Sequence, residues 1–194
     1  MKADLYDFDK TIVPFDSETK FFIFCIKRYP WLFLYLPIMG VAWLLWALKI
    51  ISFDKCKSTF TMFWSFVPHK NTVKKFWDAH EKYVNTWFKD KPRYTIVVSA
   101  SPDYLLNEIK DRIGIDTLIC TKHDAKTGKM LTKNCRDSEK VKRLYEVFDK
   151  EQLEVIDVYS DSLKHDQPIF KLATNNCYHI VDKQKIKFKY SDKF

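Results

Sequence analysis

Glycine is nearly missing from this chain: 194 residues hold only 3, with 7 prolines, which leaves little room for flexible linkers. No internal repeat or low-complexity tract is present, and no Cys-x-x-Cys pair occurs. The five cysteines (Cys25, Cys56, Cys120, Cys135, Cys177) are odd in number and scattered, which argues against a disulfide framework or a zinc site. A reduced, intracellular protein is expected. The start, MKADLYDFDKT, has no apolar signal core, so no cleavable export signal is expected either. His123, His165 and His179 lack metal-ligand spacing and read as structural or exposed, although His165 lies between two aspartates of interest. What remains is globular in composition, 46% hydrophobic and 30% charged, enough for one domain or a domain with a large insertion. The net charge of +8 favours anionic partners: phosphate esters, nucleic acid or acidic lipid.

Short strand signals alternate with helical ones. ADLYDFD (3–9) reads as a buried strand ending in polar residues, and RYTIVVSAS (93–101) as a second, stopping at Ser99. Pro102 and Asp103 open a helix that Gly114 closes. Residues 116–132 read as a strand and a hairpin turning at Thr127-Gly128, and Asp137 or Ser138 caps a helix over 139–148. EVIDVYSDS (154–162) is a further strand, followed by a short helix at 168–173 and a strand near 177–181. This alternation predicts parallel strands with crossover helices, whose carboxyl ends bind ligands. Collecting polar residues at those ends gathers Asp7, Asp9, Ser99 and Asp161.

Hydrolysis of a phosphate ester through a covalent intermediate needs these side chains. One carboxylate attacks phosphorus and a second acid protonates the leaving oxygen. A hard divalent cation offsets charge repulsion, and hydroxyl and ammonium donors hold the phosphoryl oxygens. DFDKT, VVSAS, NCRDSEKVKRL and YSDSLKHDQPIF resemble, in order, the four motifs of the haloacid dehalogenase superfamily of phosphatases. The segment between the first two motifs resembles the helical cap of its phosphoserine-phosphatase-like branch. The resemblance implies Asp7 as nucleophile, Asp9 as general acid/base, and Thr11 as the residue that orients Asp9. Ser99 and Lys140 would bind the phosphoryl group. Mg²⁺ would sit on the Asp7 carboxylate, the Asp9 carbonyl and Asp161, with Asp166 near the metal or its waters. Three departures stand out. Lys10 replaces a frequent glycine and should point away from the site. Asp161 and Asp166 are five residues apart, one more than in many close relatives. Asp16 replaces a glutamate usual in phosphoserine phosphatases, which leaves recognition of an amino group in doubt.

The longest charge-free run, YPWLFLYLPIMGVAWLLWAL (29–48), has 20 residues, the length of a membrane span. A single crossing would put Asp7 and Ser99 on opposite sides of the bilayer, where they could not share one phosphate. The run is therefore expected either to be buried in the cap or to be broken at Pro37 and Gly40 into short helices that dip into one leaflet. Residues 71–90 show helical spacing of Val73, Phe76, Trp77, Val84 and Phe88 and predict one amphipathic helix.

The expected fold is α/β, a Rossmann-like parallel sheet core (1–15 and 91–194) with a helical, apolar cap inserted after the first strand (16–90). The expected function is a Mg²⁺-dependent phosphomonoester hydrolase. The apolar cap points to a lipid-linked phosphate, and the layout resembles the phosphatidylglycerophosphatase C type. An anionic membrane surface is the expected partner, at the cytoplasmic inner face, and no nucleic acid. A soluble phosphatase for a small metabolite such as phosphoserine is the alternative within enzymes. A nucleic-acid-binding module and a membrane adaptor without turnover are the alternatives outside them.

Overall fold

The computed structural model describes residues 1–69 and 71–194. Six strands form one sheet: β1 (Lys2–Tyr6), β2 (Tyr94–Pro102), β3 (Thr117–Thr121), β4 (Glu154–Ser160), β5 (Asn176–Val181) and β6 (Gln184–Phe188). Their order is β3-β2-β1-β4-β5-β6, with the first five mutually parallel and β6 antiparallel at the edge. The helices are α1 (Ser17–Arg28), α2 (Leu36–Ala47), α3 (Phe53–Thr61), α4 (Thr72–His80), α5 (Asp103–Lys110), α6 (Ser138–Val147) and α7 (Gln167–Phe170).

β1 is central, so both of its faces are covered. Leu5 joins Ile96, Val98 and Val158 against Leu144, Ile169 and Phe170 on one side. Tyr6 and Phe8 join Val97, Leu105, Phe21, Phe76 and Trp77 on the other. That second core runs without a break from the sheet into the helices between β1 and β2. The register slips by one residue between β1 and β4, which is why Val155 and Val158, three apart, share a face. The Asp157 N–H in that irregularity donates to Asp4 Oδ1 at 3.2 Å, and Arg93 binds both carboxylates.

Several sequence expectations are corrected. β2 continues past Ser99 to Pro102. Asp137 precedes α6 but makes no side-chain cap; its carboxylate meets His165 instead. The helix expected over 71–90 ends at His80, followed by two short 3₁₀ turns. The competing interaction is at Asn85, whose N–H donates to the Ile12 carbonyl (2.8 Å) and whose Nδ2 donates to the Thr11 carbonyl (2.7 Å). These bonds draw the chain out of the helix and onto the loop after β1. β6 carries no Asn-Gly signal; its hairpin turns on Asp182 and Lys183, both at positive φ, as a type I′ geometry requires.

The apolar run forms a 3₁₀ turn at Pro30–Tyr35 and then α2. Pro37 lies in the first turn of α2, where a missing N–H costs nothing, and Gly40 lies within the helix, so neither breaks the run. α2 is apolar all round, yet only Met39 and Ala42 are buried. Leu34 (80% exposed), Val41, Trp43, Leu44, Leu48 and Ile50 face outward, so burial inside the cap is excluded for most of the run. α2 ends in a Schellman motif with Lys49 at φ 60: Lys49 N–H donates to Trp46 O and Ile50 N–H to Leu45 O. Ser52 then caps α3, which returns the chain with Phe53 edge-on to Trp46.

Candidate active site

β1 ends at Tyr6, and the Asp7 N–H extends the pairing by donating to Tyr159 O at 2.9 Å, which fixes Asp7 at the carboxyl edge of the sheet. A tight loop follows, with Ile12 N–H on Phe8 O (2.8 Å) and Lys10 at φ 56. That left-handed position explains the preference for glycine, since a side chain there costs about 1 kcal/mol. Contrary to expectation, Lys10 lines the cleft, and its charge acts on Asp161.

The sequence-predicted residues converge. Asp7, Asp9, Ser99, Lys140, Asp161 and Asp166 all line one cleft of about 500 Å³ at the carboxyl ends of β1, β2 and β4. Lys140, buried in the first turn of α6, lies 2.6 Å from Asp7 Oδ1 and 2.7 Å from Asp166 Oδ1. Ser160 Oγ donates to Asp166 as well. Burial alone would lower the Lys140 ammonium, but Asp7 and Asp166 hold it above its ordinary range. Burial pushes the Asp7 carboxyl upward, with Lys140 opposing and Asp166 adding to the rise.

Thr11 does not orient Asp9. Its hydroxyl donates to Asp7 Oδ2 (3.5 Å) and accepts from the Asp161 N–H (2.9 Å), tying the first motif to the last. Asp9 is held by Ser17 N–H on Oδ1 (2.8 Å) and by Ser101 Oγ on Oδ2. Burial, reinforced by Asp16, lifts Asp9 to about 6 against those hydrogen bonds. Asp161 is also raised, by burial first and then by Asp166. Ser99 Oγ accepts from the Ser101 N–H at 3.1 Å. Asp16 caps α1 by accepting from Thr19 N–H and lines the cleft, as does His165.

Sequence reasoning missed Ser17, Ser101, Lys57 and Asn134. Ser101 was visible in principle, two residues beyond Ser99 on the same strand face. Lys57 on α3 reaches across to Ala100 O (2.9 Å), Asn134 Oδ1 (3.1 Å) and Glu18 (3.4 Å), and no local pattern announces such a bridge. His179 has the structural role expected of it, with Nε2 2.9 Å from the main-chain Asp161 O. The helices between β1 and β2 line the cleft with Glu18, Thr19 and Lys57 and with an apolar wall of Trp43, Trp46, Phe53 and Phe60.

With this geometry in place, comparison with known proteins gives the class. Residues 5–171 match the haloacid dehalogenase-like hydrolases, and the chain belongs to that family. A sequence search of curated proteins finds no match. Among solved structures, a Bordetella pertussis Tohama I protein of unknown function superposes with TM-score 0.70 at 16% identity, covering 88% of this chain and 86% of its own. A phosphoserine phosphohydrolase-like protein from Francisella tularensis subsp. tularensis SCHU S4 gives 0.55 at 15% identity, covering 92% and 87%. A phosphoserine phosphatase carrying a phospho-aspartyl intermediate analogue gives 0.52 at 18% identity, covering 89% and 83%. At these identities the similarity shows the fold.

Proposed function

We propose that this hydrolase is a Mg²⁺-dependent phosphomonoesterase that works through an aspartyl-phosphate at Asp7, on a phosphate carried by a lipid. The observation that carries the chemistry is the buried Asp7–Lys140–Asp166 array beside an Asp9 raised to about 6, all at one sheet edge. An Asp7 carboxylate oxygen attacks phosphorus as the ester P–O bond breaks, and Asp9 gives its proton to the departing oxygen. Water then attacks the acyl phosphate and yields its proton to Asp9, restoring the Asp7 carboxylate and releasing phosphate. Lys140 and Ser99 hold phosphoryl oxygens where charge develops. Asp166, with Lys140 and Ser160 on its carboxylate, holds Lys140 in place.

Among the described residues, no three His, Cys, Asp or Glu side chains form a metal cage. Asp7 and Asp161 with the Asp9 carbonyl are nevertheless hard oxygen donors in a carboxylate-rich cleft, a set that suits Mg²⁺, which keeps waters and takes a substrate phosphate oxygen. When bound there, the ion would screen the incoming phosphate from the carboxylates.

The lipid reading rests on the wall of the cleft. Trp43 and Trp46 belong to the exposed helix α2, so apolar surface runs from the catalytic edge to the outside. Pro30–Ala47 is apolar and long enough to cross a membrane, but α3 brings the chain straight back to the same cleft. α2 alone, twelve residues, spans about 18 Å against about 30 Å of hydrocarbon. We therefore place α2 within one leaflet, on the cytoplasmic side, with Lys27, Arg28 and Lys49 at the headgroups. Phosphatidylglycerophosphate is the leading candidate. The test is phosphate release with and without Mg²⁺ from phosphatidylglycerophosphate, phosphoserine and p-nitrophenyl phosphate. Mg²⁺-dependent turnover with the lipid preferred supports the reading, and a preference for phosphoserine would replace it with a soluble metabolite phosphatase.

A further inference from the structure

Arg136 occupies a position in the cleft that the catalytic chemistry leaves unused. The other lining cations have close work: Lys140 serves Asp7 and Asp166, Lys57 is bound to Glu18, Ala100 O and Asn134, and Lys10 acts on Asp161. The Arg136 guanidinium lies 5.9 Å from the centroid of the Phe53 ring. Its nearest carboxylate, Asp137, is 3.9 Å away and already bound by His165 Nδ1 at 2.9 Å. The Arg136 side chain is 38% exposed, so its fork of donors remains open to a ligand. Phe53 belongs to the apolar wall with Trp43 and Trp46, whereas the Arg136 backbone belongs to the segment leading to Lys140. Arg136 thus stands where the catalytic floor meets the apolar wall.

A substrate with its phosphomonoester at Asp7 and its acyl part along Trp43 and Trp46 carries its connecting atoms past this guanidinium. A planar, permanently charged fork fits an oxyanion bidentately, better than it fits any neutral linker. Resting on the phosphatase reading above, we infer that Arg136 is a specificity-determining residue. It selects amphiphiles in which a second oxyanion, a phosphodiester, lies between the scissile phosphomonoester and the apolar tail.

The experiment uses two synthetic short-chain amphiphiles with identical tails and a terminal phosphomonoester, joined through a phosphodiester in one and an uncharged ether in the other. Both are presented in uncharged detergent micelles to wild type, Arg136→Gln and Arg136→Lys, with p-nitrophenyl phosphate as the tail-free reference. Wild type is expected to favour the phosphodiester amphiphile in kcat/KM. Arg136→Gln should cut that preference about tenfold, mainly through KM, as loss of a charge-assisted contact does. Arg136→Lys should keep part of it. Equal rates on the two amphiphiles, or an equal loss on both in Arg136→Gln, would overturn the Arg136 assignment and leave the phosphatase standing. No hydrolysis of any of the three substrates by wild type would overturn both.

Discussion

Lys140 and Asp7 are 133 positions apart in sequence, yet Nζ and Oδ1 lie 2.6 Å apart in a buried site. The ammonium is shared with Asp166, so one lysine pairs with two carboxylates that water barely reaches. Lys140→Met should therefore cost about 3 kcal/mol in urea denaturation, because it strands buried charge, and should abolish turnover. Lys140→Arg keeps the charge and should retain more of the stability than of the activity. If Lys140→Met were as stable as wild type, the ion-pair account of the site would be wrong.

Asn85 supports the catalytic loop from outside, through buried bonds to the main-chain carbonyls of Thr11 and Ile12. Asn85→Ala leaves the Thr11 carbonyl without its buried partner, at a cost of about 1–2 kcal/mol. Steady-state kinetics should show kcat falling more than KM rises, since the loop aims Asp7 and Asp9 and does not bind the leaving group.

Gly128 turns the hairpin at φ 69, and an added Cβ would lie 2.4 Å from Thr61 O and 2.8 Å from Trp64 Cβ. The hairpin is thereby clamped to the end of α3, with Trp64 Nε1 donating to Ala125 O at 3.0 Å. Gly128→Ala should cost more than the roughly 1 kcal/mol of left-handed strain alone. Thermal unfolding of the variant checks this, and a loss within that figure would mean the clamp gives way easily.

His123 is buried, with Nδ1 2.9 Å from Thr121 O and Nε2 without a partner among the described residues. Burial pushes its pKa down from 6.5 to about 4. Between those values the unfolded chain takes up the proton and the folded one does not, so stability falls as pH drops through that window. The loss attributable to this group is at most about 3 kcal/mol. In His123→Phe the slope of stability against pH between 4 and 6.5 should flatten, as read from urea midpoints at several pH values.

The outward apolar face of α2 predicts vesicle binding. Wild type should sediment with anionic vesicles more than with neutral ones. Replacing Leu34 and Val41, both outward-facing, by aspartate should release it without unfolding the core. Equal recovery in the supernatant with and without vesicles would contradict membrane contact.

The catalytic edge was legible in the sequence because parallel strands deliver their carboxyl ends to one place, and Asp7, Ser99 and Asp161 each follow a β-branched or aromatic strand. Lys140 was found through the motif leading into its helix. What escaped depends on contacts between distant segments. Thr11 bridges Asp7 and Asp161, and Ser17 and Ser101 take the part expected of Thr11 beside Asp9. Asn85 ends a periodic pattern early for the sake of two carbonyls 74 and 73 positions earlier. The apolar run was ambiguous because periodicity cannot tell a buried helix from an exposed one that is apolar all round.

The most direct test of the central claim is to stop the reaction with acid during turnover of p-nitrophenyl phosphate in Mg²⁺ and map phosphoryl adducts by mass spectrometry. An adduct is expected on the peptide holding Asp7 in wild type, and none in a folded Asp7→Asn variant, which should also be inactive. Turnover at near wild-type rate in Asp7→Asn, or an adduct elsewhere, would rule out the aspartyl-phosphate at Asp7.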